Sequence, residues 1–180
     1  MVPETPQKPA KSKFDTAANI AIIVVCAIAA VVLVRNQFFP PRPALPPGSP
    51  PMVEKGERFD QLKGVVPAGA DRFLLVAVSP GCHFCNDSMP FYKKLLDQRN
   101  EKSSPIKFVA AVPNEAAKAE ESQKFATAGA QPDSLVHLDF AAIKVPGTPT
   151  LMLVDNNGKV LDVWVGKLDE RGEKEVLKVL

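Results

Sequence analysis

The sequence predicts an α/β domain, a mixed sheet flanked by helices, preceded by one N-terminal transmembrane helix and a proline-rich linker. Three observations predict it. From about Glu57 onward, apolar runs of strand length alternate with helical patterns; an Asn-Gly turn joins the last two runs; and an uncharged stretch, Ala17–Val34, stands near the N-terminus. Alternating strands and helices give parallel pairs with helical crossovers, and a tight turn between two strands makes that pair antiparallel. A chain of 180 residues has room for one ordinary domain plus appendages.

The formal net charge of +2 is unevenly spread. From Glu57 onward sixteen Lys and Arg face seventeen Asp and Glu, and the positive excess lies in the first fifty-six residues. Without clustered basic residues on the domain, no nucleic-acid partner is expected. One close cysteine pair, Cys82 and Cys85, is not a disulfide framework, which uses several widely spaced cysteines.

Residues 1–16 are polar and read as a cytoplasmic N-terminal tail. The anchor is residues 17–35: eighteen residues, Ala17–Val34, carry no charge and only Asn19 is polar. A helix of that length reaches about 27 Å, close to the hydrocarbon thickness of a bilayer, so membrane lipid is its expected partner. Ala27-Ile28-Ala29 resembles a signal-peptidase site, but the apolar run continues through Val34, which favours an uncleaved anchor. Three lysines before the span against Arg35 and Arg42 after it favour a single-pass protein of the inner, cytoplasmic membrane. Its N-terminus is then cytoplasmic and its domain periplasmic or extracellular. Residues 36–56 form the linker; within it, 40–51 holds seven prolines in twelve positions, a semi-rigid spacer.

The domain is 57–180. Phe59–Val66 suggests a short helix and turn, Phe73–Val78 the first long strand, and Cys82 to about Arg99 a helix interrupted by Pro90. Ile106–Val112 is a second strand. Asn114 can cap a helix over 115–128 that Gly129 stops. Leu135–Leu138 is a short strand and Asp139–Lys144 a helical turn. Leu151–Val154 and Val160–Val165 flank Asp155-Asn156-Asn157-Gly158 as a hairpin, and a last helix runs from about Asp169 to Leu180.

The chemistry centres on Ser79-Pro80-Gly81-Cys82-His83-Phe84-Cys85. A strand turning straight into a helix puts Cys82 at the helix N-terminus, with Cys85 one turn on. Unpaired N–H groups and the positive end of the helix dipole favour a thiolate there, the form in which cysteine reacts. Such a dithiol suits disulfide exchange. His83, if protonated, would stabilise the Cys82 thiolate and tune the couple; an exposed imidazole with little effect is the alternative. Phe84, Phe91, Tyr92, Leu95 and Leu96 read as the apolar face of the helix.

This order of parts resembles the thioredoxin superfamily, and most nearly its membrane-anchored TlpA-type thiol–disulfide oxidoreductases of bacteria. The resemblance covers 57–180 and rests on Cys82-His83-Phe84-Cys85 after a strand, Pro90 eight residues after the first cysteine, Val145-Pro146-Gly147-Thr148-Pro149-Thr150, and the hairpin from Leu151 to Gly166. It implies that Cys82 is the attacking thiol and Cys85 the buried resolving thiol. It also implies that Pro149 is cis beside them and that Thr148 offers its backbone to an extended substrate. The implied partners are protein thiol or disulfide substrates and a redox protein that resets the dithiol; no cofactor is implied. Two departures stand out: Val76 occupies the place of thioredoxin's buried acid, and Pro80-Gly81 replaces the usual tryptophan junction. The proton acceptor for Cys85 therefore stays open, with water, Asp87 or a residue elsewhere as candidates.

A copper-binding metallochaperone of thioredoxin fold is the rival reading, with Cys82, Cys85, His83, His137 and Met89 as the available soft ligands. Zinc sites usually take four ligands, and no second C-x-x-C is present. A structural staple is disfavoured, because closing so short a loop restrains the unfolded chain little.

Overall fold

The structure, a computed structural model, describes residues 13–38, 52–65 and 67–180. It divides into two compact units, 1–49 and 50–180. In the first, one helix, α1 (Lys13–Phe38), runs 26 residues without a break. It is about 39 Å long at 1.5 Å per residue. It includes the whole apolar run Ala17–Val34, where neither glycine nor proline interrupts the backbone hydrogen bonding. Side chains are described for 22–34, and all of them are exposed. Among the residues whose side chains are described, to which α1 contributes 22–34, no helix is long and apolar enough to cross a membrane. The expected tail through residue 12 and the proline-rich stretch 39–51 lie outside the described residues.

The second unit carries α2 (Asp60–Lys63), β1 (Arg72–Ala77), α3 (His83–Glu101), β2 (Lys107–Val112), α4 (Ala117–Thr127), β3 (Ser134–His137), β4 (Thr150–Asp155), β5 (Val160–Val165) and α5 (Glu170–Leu177). The strands form one sheet in the order β3-β2-β1-β4-β5. β1, β2 and β3 are parallel, with Leu75 opposite Val109 and Ala110 opposite Leu135. β4 runs antiparallel to β1, and β5 to β4. This is the mixed sheet that the sequence predicts. β1 is buried on both faces, so its sequence is a continuous apolar run and not an alternation.

The two faces are covered unequally. Leu74, Val76 and Val78 of the first long strand and Phe108, Ala110 and Val112 of β2 pack under α3, α4 and α5. Phe73, Leu75, Val109 and Ala111 face the other way, onto Val53, Phe59, Leu62 and Ile143. Helices of any length thus lie on one face, and the other is closed by the short α2 and by irregular chain. Two successive parallel crossovers, β1–α3–β2 and β2–α4–β3, step the same way across the sheet. Right-handed connections then put both helices on the same face.

The domain starts earlier than the expected residue 57. Val53 is 2% exposed, its N–H donates to the Lys144 carbonyl at 2.8 Å, and Gly56 N–H donates to the Val160 carbonyl at 2.8 Å. Residues 53–56, read as linker from the prolines before them, are thus tied to the sheet. The hairpin also differs from a two-residue Asn-Gly turn. Asp155 N–H bonds the Lys159 carbonyl, enclosing Asn156, Asn157 and Gly158. The Asp155 carboxylate accepts from Asn157 N–H at 2.8 Å and Lys159 N–H at 2.9 Å, which selects the wider loop. Gly158 takes φ +73° there, and a side chain at this position would run into the Phe59 carbonyl.

Candidate active site at the start of α3

β1 delivers the chain to the site, and Ser79-Pro80-Gly81 turns it into α3. Gly81 adopts φ +71°, where a side chain would be strained. Cys82 is the N-cap: Cys82 N–H donates to the Ser79 carbonyl at 3.2 Å, and the Cys82 carbonyl accepts the first helical bond from Asn86 N–H at 3.2 Å. Cys82 and Cys85 form a disulfide with Cα atoms 5.2 Å apart. Cys82 is half-buried, whereas Cys85 is 1% exposed and part of the core under α3. Cys85 N–H points at Cys82 Sγ, 3.1 Å away. An N–H aimed at the sulfur, on a helix N-terminus, stabilises negative charge on that sulfur once the disulfide opens.

The second wall is the loop before β4. The Thr148–Pro149 peptide bond is cis. Thr148 carbonyl oxygen lies 3.3 Å from Cys82 Sγ, and Ser79 Oγ lies 2.8 Å from Thr148 Oγ1. In the disulfide Sγ has no proton, so the first is a contact; a Cys82 thiol could donate there. The loop is fastened on both sides: Thr150 Oγ1 donates to the Gly147 carbonyl at 2.7 Å, and Gly166 N–H to the Pro149 carbonyl at 2.7 Å. The structure thus brings Cys82, Cys85, Thr148 and Pro149 together, across a sequence gap no local pattern spans.

His83 lies differently. Its side chain is 80% exposed, with Nε2 3.5 Å from Asp87 Oδ2. Asp87 also accepts from Lys167 Nζ at 3.0 Å. The Lys167 hydrogen bond, with smaller help from the His83 charge, holds the Asp87 carboxyl below its ordinary range. Phe84 is 56% exposed and stands edge-on to the His83 ring at 5.8 Å, so it is not part of the buried face of α3. Pro90 stands inside α3 on its exposed side. Val76 is fully buried, leaving the strand position below the disulfide apolar.

Of the soft ligands considered for copper, His137 is exposed at the C-terminal end of β3, two strands over from β1, and Met89 is buried in the core. Among the described residues no three His, Cys, Asp or Glu side chains converge as a metal site. Sequence reading missed Ser79, Lys167 and Glu121. Glu121 carried a signal: it sits four residues from both Ala117 and Phe125, on the stripe of α4 that faces the core.

A sheet of this order, with a C-x-x-C disulfide at the N-terminus of the crossover helix and a cis-proline loop against it, defines a thioredoxin-fold protein. Residues 54–179 match the thioredoxin-like domain family, and the chain belongs to that family. No curated protein matches the sequence. Among solved structures, it is similar to a secreted disulfide oxidoreductase of Mycobacterium tuberculosis described as homologous to DsbE of E. coli. The two are 15% identical over 61% of this chain and 82% of the other, with a TM-score of 0.48. It is also similar to StoA of Bacillus subtilis, at 17% identity over 61% and 84% of the two chains and a TM-score of 0.47. A thiol:disulfide interchange protein from Bacteroides sp. is 13% identical over 71% and 88%, with a TM-score of 0.49.

Proposed function

We propose that the protein is a membrane-tethered thiol–disulfide oxidoreductase of the TlpA type, exchanging disulfides with extracytoplasmic protein substrates through Cys82 and Cys85. One observation carries the reading: a disulfide on the first turn of a helix with one sulfur half-exposed and the other buried. Only the outer sulfur is placed to meet a substrate, and only the inner one to displace it.

In the dithiol, Cys82 ionises under the Cys85 N–H and the α3 N-terminus, and its thiolate attacks a substrate disulfide to form a mixed disulfide. Cys85 then attacks Cys82 Sγ and expels the reduced substrate. The reverse sequence oxidises a substrate dithiol, and a second redox protein resets the pair. Thr148, whose carbonyl lies against Cys82 Sγ, offers main chain to an extended substrate segment by strand addition. His83, next to Cys82 in sequence and paired with Asp87, adds positive charge near the thiolate when protonated. Tethering is supported by the unbroken α1 helix over the uncharged run Ala17–Val34, whose described side chains are all exposed.

The test is reduction of a protein disulfide such as insulin. Wild type is expected to catalyse it, Cys82→Ser to be inactive, and Cys85→Ser to accumulate a mixed disulfide with the substrate. A reduction potential near about −270 mV would mark a reductase and one near about −120 mV an oxidase. A wild type without exchange activity that binds one copper per chain through Cys82 and Cys85 would replace this reading with the metallochaperone.

A further inference from the structure

We propose that Glu121 is the proton acceptor for Cys85 in the resolving step. The inference rests on the exchange activity proposed above and names a residue for a step that activity requires.

The need arises from burial. Cys85 is 1% exposed, and a thiol must lose its proton before it can attack a disulfide. Water has poor access to it, Val76 supplies no acid from the strand, and Asp87 is occupied by Lys167 on the outer side of α3. Glu121, in contrast, is a fully buried carboxylate. Its Oε1 accepts from Lys124 Nζ at 2.8 Å. Among the described residues, its Oε2 is the one buried side-chain polar atom without a hydrogen-bond partner. A buried, half-satisfied carboxylate costs stability, so its presence asks for a reason.

Its position supplies one. Phe125, one turn after Glu121, lies between Tyr92 and Phe108, with ring centroids 6.1 Å and 6.3 Å away. That contact fixes the level of α4 against α3 and β2. Both helices start at the carboxyl ends of their strands and run the same way. One turn back toward the site therefore sets Glu121 level with Ser88 of α3 and Ala110 of β2, the latter contributing only a methyl group. One turn further come Ala117, Cys85 and Val112, all members of the same core. Glu121 thus lies one helical turn, about 5.4 Å along the helix axis, below the level of the resolving thiol.

The groups facing this layer are few. On α4 they are Lys124 and Glu120, which also holds Lys124, at 2.7 Å. On α3 they are Cys85, the Ser88 hydroxyl, and the Tyr92 phenol, which burial keeps neutral; β2 presents only Phe108, Ala110 and Val112. A cleft of about 440 Å³ lined by Asn86, Met89, Glu120 and Lys124 lies on the solvent side of Lys124, the partner of Glu121. In the resolving step the Cys85 proton passes to Glu121 Oε2. The Cys85 electron pair then forms the bond to Cys82 Sγ, the Cys82–substrate bond breaks, and the substrate sulfur leaves as a thiolate that water protonates. Glu121 afterwards loses its proton to solvent. The dithiol has given up two electrons and two protons, and the substrate disulfide has gained them.

The test is Glu121→Gln in the full chain, which keeps shape and removes the charge. Mixed-disulfide resolution at neutral pH is expected to slow at least about tenfold. With Cys82 replaced by alanine, the Cys85 thiol is expected to titrate at lower pH in Glu121→Gln, because a neighbouring negative charge is gone. A thiol that ionises more readily yet resolves more slowly is a combination a merely structural ion pair does not produce. Unchanged resolution and titration in the folded variant overturn the proposal. If the variant does not fold, the carboxyl ¹³C signal of Glu121 is followed in wild type, assigned with Glu121→Asp. A titration that differs between disulfide and dithiol supports the coupling, and an identical one overturns it. These titrations need no substrate. A wild type inactive on protein disulfides therefore sinks the oxidoreductase reading separately from the Glu121–Cys85 coupling.

Discussion

Phe84 shows how a correct pattern can assign one residue wrongly. The buried residues of α3 are Cys85, Ser88, Met89, Phe91, Tyr92, Leu95 and Leu96, a face that follows the helical repeat. Phe84, seven residues before Phe91, shares that side of the helix by spacing, yet in the first turn it is exposed next to the disulfide. Its hydrophobicity argued for core; the small Cys85 holds the core position. Thr148 and Pro149 were legible only through the resemblance, because the contact of Thr148 with Cys82 spans 66 positions. A large exposed apolar ring next to a reactive sulfur is a natural contact for a protein substrate. Phe84→Ala is therefore expected to change unfolding stability by no more than about 0.5 kcal/mol, as exposed sites do. The same change is expected to raise KM severalfold for a protein disulfide while leaving the rate with a small-molecule disulfide unchanged. Urea unfolding and parallel assays with the two substrates check this; an equal loss on both substrates would place Phe84 in the sulfur chemistry instead.

At the scale of elements, the strands, α3, α4 and α5 were readable from run length, apolar spacing and caps. Asp169 caps α5, accepting from Gly172 N–H at 2.8 Å. Helix α4 instead begins at Ala117, two residues later than expected, with Ala116 as its N-cap and Asn114 accepting from Ala117 N–H at 3.0 Å in the turn before it. The segment before α2 was not readable, since its attachment is made by backbone bonds and by charges far apart in sequence. Glu57 is one such link: it pairs with Lys144 and accepts from Glu54 N–H at 2.9 Å. The Lys144 hydrogen bond holds the Glu57 carboxyl below its ordinary range. A depressed folded value means that the pair stabilises the fold above the ordinary carboxylate range, near about pH 4.3, and that this contribution is lost as pH falls through the folded value. Glu57→Gln is expected to cost about 0.2–1 kcal/mol at neutral pH, a partly solvated pair being screened. The cost should shrink toward nothing under acid. Thermal melts of both proteins across that range check the sign; a difference that grows as pH falls would contradict it.

For the whole molecule, the mixed sheet followed from the sequence, but its one-sided helical cover did not, because the face α4 takes depends on where β3 joins the sheet. The tether proposed above turns on α1. A helix of 26 residues whose middle is uncharged throughout 17–34 has no polar face to offer water. A helix apolar all round needs either a protein core or lipid to cover it. The proposed tether places it in lipid: the uncharged run is close to the hydrocarbon thickness in length and is preceded by Lys8, Lys11 and Lys13 and followed by Arg35. The full chain is therefore expected to fractionate with membranes, to resist extraction by high salt or alkali, and to be released by detergent. A protein beginning at residue 52 is expected to be soluble and to keep its activity on a protein disulfide, because every residue placed at the site lies beyond that point. N-terminal sequencing of the membrane-bound form should find residues before Ala17. Recovery instead of a soluble form that begins near Ala30 would show that the helix is a cleaved leader, and the tether would have to be abandoned while the thiol chemistry stood.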